Sequence, residues 1–148
     1  MGSLRIAVGS DHGGVEQKEQ IAKRLTAEGY EVTDFGCPST ESVDYPDYAA
    51  PVAQVVARGD ADFGILVCGT GIGMMLAANK VKGIRAANVT SVEFAHLARE
   101  HNNANVVTLS GRFVDPELNW QIVQEFLKTE FAGGRHERRV AKIMALEG

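Results

Sequence analysis

The chain has few cysteines and no long apolar run, and both absences exclude whole classes of protein. Its two cysteines, Cys37 and Cys68, are too few for a disulfide framework, and no Cys/His spacing is typical of a zinc site. No stretch approaches the ~20 apolar residues that span a bilayer, and no signal-peptide pattern is present. The net charge of −4 is not that of a general nucleic-acid binder. We therefore expect a cytoplasmic protein with no metal site and with neither a membrane nor a nucleic acid as partner.

Low-complexity tracts and internal repeats are also missing, so no linker divides the sequence. With 148 residues and 45% hydrophobic composition, the chain can bury about two-thirds of its unfolded surface. We expect residues 1–148 to form a single domain.

Short apolar runs alternate along the chain with segments of helical periodicity. The predicted strands cover residues 4–8, 30–35, 63–67, 84–89 and 105–109, and the predicted helices cover 15–28, 46–58, 74–80, 92–101, 116–131 and 135–146. This alternation favours an α/β fold: a three-layer, doubly wound, Rossmann-like five-stranded parallel sheet with helices on both faces and an extra C-terminal helix. In such sheets, ligands bind beyond the carboxyl ends of the strands, at a topological switch point.

A glycine-rich loop, residues 69–73, follows the third predicted strand and leads into a helix. It places Cys68 and Thr70 among three glycines. Such a loop directs backbone N–H groups at a ligand, and the helix dipole there favours negative charge, including that of a thiolate. The alternatives are an inert buried cysteine and a tightly packed turn. The loop matches neither the P-loop nor the dinucleotide fingerprint.

Polar residues follow other predicted strands as well. Asp11 and His12 lie in a glycine-flanked loop after the first strand, and His101 ends the helix after the fourth. Because the carboxyl ends of parallel strands share one edge, we expect these side chains to lie there with Cys68 and Thr70. The alternatives are a turn-forming Asp11 with an exposed His12, and a His101 that only complements a helix dipole.

One basic cluster occurs in this acidic chain, at Arg135, His136, Arg138 and Arg139. Arg135 and Arg139 are four residues apart and share a helix face, and two guanidinium groups on one face suit a phosphate. Arg112, just past the fifth strand, is a third candidate. A solvated helix face is the ordinary alternative.

Seven short motifs run in unbroken order from the first strand to the last helix. They are Gly9-Ser10-Asp11-His12-Gly13-Gly14, Asp44-Tyr45-Pro46, Cys68-Gly69-Thr70-Gly71-Ile72-Gly73, Ala77-Ala78-Asn79-Lys80, Gly83-Ile84-Arg85-Ala86, His101-Asn102, and Gly133-Gly134-Arg135-His136 with Arg139. Together they resemble the B-type ribose-5-phosphate isomerases. That sugar-phosphate isomerase family also includes the galactose-6-phosphate isomerase subunits. The combination of motifs is highly specific.

The resemblance implies reversible isomerisation of D-ribose 5-phosphate and D-ribulose 5-phosphate, in the pentose phosphate pathway, with no metal and no nucleotide cofactor. It implies that Cys68 is the base that moves a proton between C1 and C2 through an enediolate. Some family members carry Ser at this position and a Glu further along the loop as base. This chain has the thiol, and Met74 or Met75 occupies that region, so the version with a Cys base fits.

The resemblance also implies roles for the residues around the loop. His101 would be the acid that opens the furanose ring, and the Thr70 hydroxyl would assist backbone N–H groups in stabilising the enediolate oxygen. Those N–H groups are on Gly69, Gly71, Ile72 and Gly73. Asp11, His12, Tyr45 and Asn102 would contact the sugar, and Arg112, Arg135 and Arg139 would hold the phosphate; Arg138 is not at a matching position. Family members are dimers with sites shared between subunits, some forming tetramers, so we expect a homodimer or tetramer.

Two other functions stay open at this level. One is isomerisation of a six-carbon aldose phosphate, such as allose or galactose 6-phosphate, because the length of the pocket is not visible in a sequence. The other is a flavodoxin-like module that binds a nucleotide without chemistry, which would leave Cys68 without a role.

Overall fold

The computed structural model describes residues 3–148, in which five parallel strands form one sheet. The strands are β1 (Arg5–Ser10), β2 (Glu31–Asp34), β3 (Phe63–Cys68), β4 (Ala86–Asn88) and β5 (Val106–Ser110), in the order β2-β1-β3-β5-β4. The chain moves outward from β1 to β2 and then returns to the other side of β1 at β3. The switch point therefore lies between β1 and β3, and β5 is the other neighbour of β3.

Six helices accompany these strands within the described residues. They are α1 (Val15–Ala27), α2 (Pro46–Ala57), α3 (Ile72–Ala78), α4 (Val92–Glu100), α5 (Pro116–Lys128) and α6 (Arg135–Ala145). Helices α1, α4 and α5 share one core cluster with the sheet, and α2 and α3 share another. Helix α6 lies outside both layers, with Met144 against Arg85 just before β4. The predicted three-layer, doubly wound α/β fold with an extra C-terminal helix is confirmed.

The central strands β1, β3 and β5 are buried almost throughout, because helices cover both faces of the sheet. In β3, Ile65 and Val67 belong to the core beneath α1, α4 and α5, whereas Leu66 and Cys68 belong to the core beneath α2 and α3. This period of two is the pleat of a strand. It places the thiol on the α2–α3 side of the sheet.

Two predicted boundaries are wrong in ways that bear on the site. Strand β4 is only three residues long rather than six. Helix α5 ends at Lys128 instead of near residue 131, because Thr129 takes an extended conformation and its hydroxyl donates to the Glu125 carbonyl at 2.7 Å. None of the described helices is both long and apolar enough to cross a membrane.

Candidate active site

Three loops meet at the carboxyl edge of the sheet, beside the switch point. The N–H of Asp11, after β1, donates to the Val67 carbonyl at 3.1 Å, and the N–H of Gly111, after β5, donates to the Cys68 carbonyl at 2.8 Å. The backbones are in direct contact, since a Cβ added to Gly14 would lie 2.6 Å from the Val67 carbonyl oxygen. The loops after β1 and β5 therefore pack on either side of the end of β3.

Cys68 is the last residue of β3 and is buried, with 5% of its surface exposed. The N–H of Gly71 donates to its Sγ at 3.1 Å. An N–H dipole interacts more strongly with a thiolate than with a neutral thiol. The thiol and the backbone donors that the sequence places side by side are therefore in direct contact.

Gly71 is needed at the turn between Cys68 and α3. Its φ of +84° lies in the left-handed region, which strains other residues. A Cβ there would also meet the backbone carbon and oxygen of Leu109 at 3.0 Å, and the side chain of Asn88. The turn lets α3 begin at Ile72, two residues before the predicted start, and the N–H of Ile72 donates to the Thr70 hydroxyl at 3.1 Å.

Side chains from two other loops cover the glycine loop. The ring of Tyr45, the residue before α2, lies over Gly73, where an added Cβ would come within 2.7 Å of Cε1. The guanidinium of Arg112 lies over Gly69, with Nη1 3.6 Å from the position of an added Cβ. Both side chains are also exposed to solvent. They border the loop that follows Cys68 and can reach a ligand bound there.

A cavity of about 640 Å³ lies between the loop after β1 and the start of α5, and its lining includes His12 and Arg112. Nδ1 of His12 accepts the N–H of Val43 at 3.2 Å, so the proton of the neutral ring is on Nε2. Asp11 is buried, and its Oδ1 accepts the N–H of Gly13 at 2.8 Å. We call the residues gathered at this edge the Cys68 cluster: Asp11, His12, Tyr45, Cys68, Thr70 and Arg112.

Buried polar residues that were not predicted from the sequence hold the loop of Arg112. Asn119 on α5 is fully buried and donates to the Ser110 carbonyl at 2.8 Å and to Oε1 of Gln17 at 2.7 Å. Gln17 donates in turn to the backbone of the loop at 3.1 Å. The Ser110 hydroxyl donates to the Gly69 carbonyl at 2.7 Å and so joins the two loops. The sequence signal for this support is an Asn inside the apolar stripe of a helix.

Lys18 is a second support that was missed. Its side chain is buried, with Nζ 2.9 Å from Oδ1 of Asp34 and 2.9 Å from the Cys37 carbonyl. A buried ammonium requires such partners. The loop after β2 also reaches β1, because the N–H of Ser10 donates to the Gly36 carbonyl at 2.7 Å. Lys18 therefore ties α1 to a loop that borders the Cys68 cluster.

The structure contradicts the expected position of His101. Helix α4 runs back along the sheet, and His101 caps its C-terminus five residues before β5 begins at Val106. Cys68 is paired with Ser110 at the far end of β5, and that strand is about 13 Å long. The prediction that His101 shares the edge of Cys68 within one chain is therefore wrong, because the helix after a parallel strand returns the chain to the amino edge of the sheet.

Helix α6 places its arginines near His101 and not near Arg112. The rings of His101 and His136 are stacked, with centroids 4.2 Å apart and 12° between their planes. Arg135 begins α6, and the exposed Arg139 follows one turn later. We call this group the His101 cluster: His101, Asn102, Arg135, His136 and Arg139. The predicted site is thus divided between opposite edges of the sheet.

A histidine outside the predicted site adjoins the His101 cluster. His96 on α4 lies between two carboxylates, with Nδ1 2.9 Å from Oε2 of Glu125 and Nε2 2.8 Å from Oε2 of Glu100. The bond to Glu125, followed by that to Glu100, raises the pKa of His96, and the same bond lowers the pKa of Glu125. His136 differs, because burial and then the neighbouring cations lower its pKa.

These opposite shifts predict opposite pH dependence for two variants. The raised pKa of His96 contributes stability that is complete below the ordinary histidine pKa of 6.5 and is lost as pH rises through the raised value. The lowered pKa of Glu125 contributes stability that is present above the ordinary glutamate pKa of 4.5. We expect His96→Gln to lower the free energy of unfolding more at about pH 5.5 than at about pH 9. For His136→Gln, whose pKa is lowered, we expect the larger loss at the higher pH. Urea unfolding at both pH values checks this, and equal losses for His96→Gln would contradict it.

Among residues 3–148, no three His, Cys, Asp or Glu side chains are grouped so that they could hold a metal ion.

Comparison with known proteins identifies the relatives of this chain. The family model described as ribose/galactose isomerase matches residues 6–143. The ribose-5-phosphate isomerase B of Escherichia coli is 46% identical over 143 residues, which cover 97% of this chain and 96% of that protein. The Clostridium thermocellum ribose-5-phosphate isomerase B structure superposes with a TM-score of 0.96 at 51% identity, over 97% of each chain. The Mycoplasma genitalium enzyme, solved with bound ribulose-5-phosphate, has a TM-score of 0.95 at 48% identity, over 99% of this chain and 98% of that one.

Proposed function

The chain belongs to the ribose/galactose isomerase family, and we propose that residues 1–148 form one isomerase domain that interconverts D-ribose 5-phosphate and D-ribulose 5-phosphate. The observation that carries this proposal is the contact of the Cys68 thiol with the N–H of Gly71, at the start of a loop of backbone donors. Proton transfer between adjacent carbons needs a base, a stabilised oxyanion and a fixed substrate. The relative that binds ribulose-5-phosphate supports a pentose phosphate as the substrate.

In this mechanism the Cys68 thiolate removes the proton from C2 of the open-chain aldose and returns it to C1, while the proton of the C2 hydroxyl passes to the C1 oxygen. The enediolate oxygen between these steps is stabilised by N–H groups of the glycine loop. The N–H of Gly71 already donates to Cys68, and the N–H of Ile72 donates to Thr70. We therefore assign the N–H groups of the other two predicted residues, Gly69 and Gly73, to the oxyanion. The base must be a reduced thiol. Both cysteines are free, as is usual in the cytoplasm, where we place the enzyme.

We propose that the site is completed by a second copy of the chain in a homodimer. The His101 cluster of one copy would face the Cys68 cluster of the other, so that Arg112 from one chain and Arg135 and Arg139 from the other hold the phosphate. Large exposed apolar side chains on α3, on α4 and in the loop after β5 support a buried contact with a second copy. They are Ile72, Leu76, Phe94 and Phe113, which are 48% to 73% exposed.

The reaction is tested by mixing the protein with ribose 5-phosphate and measuring ketose formation, with allose and galactose 6-phosphate as competing substrates. We expect the highest kcat/KM for the pentose phosphate. A higher value for a hexose phosphate would favour the six-carbon alternative, and the absence of isomerisation by folded protein would reject the proposed reaction. Stabilisation by nucleotides but not by sugar phosphates in a thermal-shift screen would support the non-catalytic module.

The shared site predicts that two inactive variants restore activity when mixed. Cys68→Ala and His101→Asn each inactivate both sites of their own dimer. A mixed dimer has one site with both replacements and one site with neither. Equal amounts, unfolded together and refolded, should recover roughly one quarter of the wild-type activity. Each variant refolded alone is the control, and no recovery in a verified mixed dimer would contradict a site shared between copies.

A further inference from the structure

Glu100 connects the predicted acid His101 to a second histidine. Its Oε1 lies 3.3 Å from Nε2 of His101, and its Oε2 lies 2.8 Å from Nε2 of His96, one helical turn back on α4. One carboxylate therefore contacts both imidazoles, each with a different oxygen. Glu100 and His101 are both about two-fifths exposed, so the contact is accessible to a ligand.

His96 limits the freedom of Glu100. The other nitrogen of His96 lies 2.9 Å from Oε2 of Glu125, and Oγ1 of Thr129 lies 3.0 Å from that same oxygen. His96 is thus held by α5, and Glu100 is held by His96. A surface glutamate without such an anchor would sample many rotamers. Here one oxygen is fixed, and the other is presented to His101.

The remaining charged groups beside His101 come from α6. His136 is stacked on the ring, and Arg135 and Arg139 lie on the same helix. Lys128 is paired with the other oxygen of Glu125, at 3.2 Å. Glu100 is therefore the carboxylate that lies against His101 itself, on the side of Nε2.

We propose that Glu100 is a positioning residue for His101: held by His96, it keeps the proton of the neutral imidazole on Nε2 and so makes Nδ1 the nitrogen that serves the sugar ring. A carboxylate beside one ring nitrogen selects the tautomer with its proton there. This inference rests on the proposed function, in which His101 is the acid that opens the furanose. In that step Nδ1 of the imidazolium gives its proton to the ring oxygen while the C1–O bond breaks. The C1 hydroxyl becomes the aldehyde and gives its proton to water, and water returns a proton to Nδ1.

The competing role is an ion pair that only stabilises α4, since His96 and Glu100 are spaced i, i+4. That role predicts that removing Glu100 lowers the unfolding midpoint and leaves the tautomer of His101 and kcat of the folded enzyme unchanged. The proposed role predicts that both the tautomer of His101 and kcat change. The two are therefore separated by measurements that do not depend on stability.

The test uses the full chain labelled with 15N-histidine, because the ring 15N shifts show which nitrogen carries the proton. The His101→Asn spectrum identifies the His101 signals. In the wild type at a pH where His101 is neutral, we expect the proton on Nε2. In Glu100→Ala we expect a mixture of tautomers and a kcat about five- to tenfold lower at a nearly unchanged KM. Glu100→Gln keeps an oxygen acceptor and should recover most of both properties.

Glu93→Gln is the matched control, since it removes the same charge from the exposed first turn of the same helix. It should leave the tautomer and kcat at wild-type values. If folded Glu100→Ala shows the wild-type tautomer and kcat, the positioning role is rejected. If the tautomer changes as expected but the wild type does not isomerise ribose 5-phosphate, the proposed function fails while the control of the His101 proton by Glu100 stands.

Discussion

Replacement of Cys68 by alanine is expected to lower kcat by about 10²- to 10⁴-fold, the usual contribution of a positioned acid or base. The physical reason is that Cys68 is the one base of the Cys68 cluster that contacts a backbone donor of the glycine loop. The N–H of Gly71 is directed at its Sγ. The thiol does not contact the phosphate-binding candidates, so KM should change little. Steady-state kinetics of ketose formation measure the loss. Exchange of the C2 proton of the substrate with deuterated water, followed by NMR, measures the abstraction step directly.

Cys37→Ser is the matched control, because Cys37 is the other buried, free cysteine of the chain. Its Sγ lies 3.2 Å from the Ser39 carbonyl, a contact that a hydroxyl can keep. This variant should retain near wild-type kcat. A Cys68→Ala enzyme with undiminished proton exchange would show that the thiol is not the base, and binding of inorganic phosphate by both variants checks that the anion site is intact.

Replacement of Gly71 by alanine is expected to damage both stability and catalysis. The φ of +84° strains an L-residue, and the added Cβ would lie 3.0 Å from the backbone of Leu109, which cannot rotate away as a side chain could. We expect a loss of about 2–4 kcal/mol in the free energy of unfolding. The N–H of residue 71 would then shift away from the Cys68 thiol. We expect folded Gly71→Ala to show a kcat at least about tenfold lower, since the Cys68 thiolate would lose the backbone donor that stabilises its charge.

Gly59→Ala separates the two causes. Gly59 has nearly the same φ, +85°, but a Cβ there would meet nothing within 4 Å. It should therefore cost only the backbone strain, about 1 kcal/mol, and leave kcat unchanged. Urea unfolding and kinetics of both variants provide the comparison. Equal stability losses in the two variants would mean that the contact with Leu109 contributes nothing.

Much of the fold follows from local patterns in the sequence. The short, mostly apolar runs of β1, β3 and β5 predict buried parallel strands, because both faces of such strands are covered by helices. Ser91 and Asp115 mark helix starts, and both side chains accept a backbone N–H in the structure. Boundaries were less reliable: α5 ends at Lys128 because the Thr129 hydroxyl and its extended backbone replace the next helical turn.

Support for the site was harder to predict than its chemistry. Cys68 and Gly71 are recognisable from composition and spacing, because a thiol among glycines before a helix has few structural explanations. The supporting roles of Asn119 and Lys18 are not recognisable, because their partners lie elsewhere along the chain. Asn119, for example, donates a hydrogen bond to Gln17, which is 102 residues away. A buried polar side chain is visible in a sequence only as an exception to an apolar pattern, and its partner is not visible at all.

The sequence alone predicts the alternation of strands and helices, because it depends on local periodicity. It also predicts the kinds of reactive group, because these depend on side-chain chemistry. The position of His101 is not predicted by the sequence alone. It depends on how far α4 carries the chain back across the sheet, on the insertion of β5 between β3 and β4, and on the docking of α6 against the amino edge. These are long-range packing relations, which no local pattern encodes. They divide the predicted site between two edges of one sheet, which is why our proposal joins Cys68 and His101 across two copies of the chain.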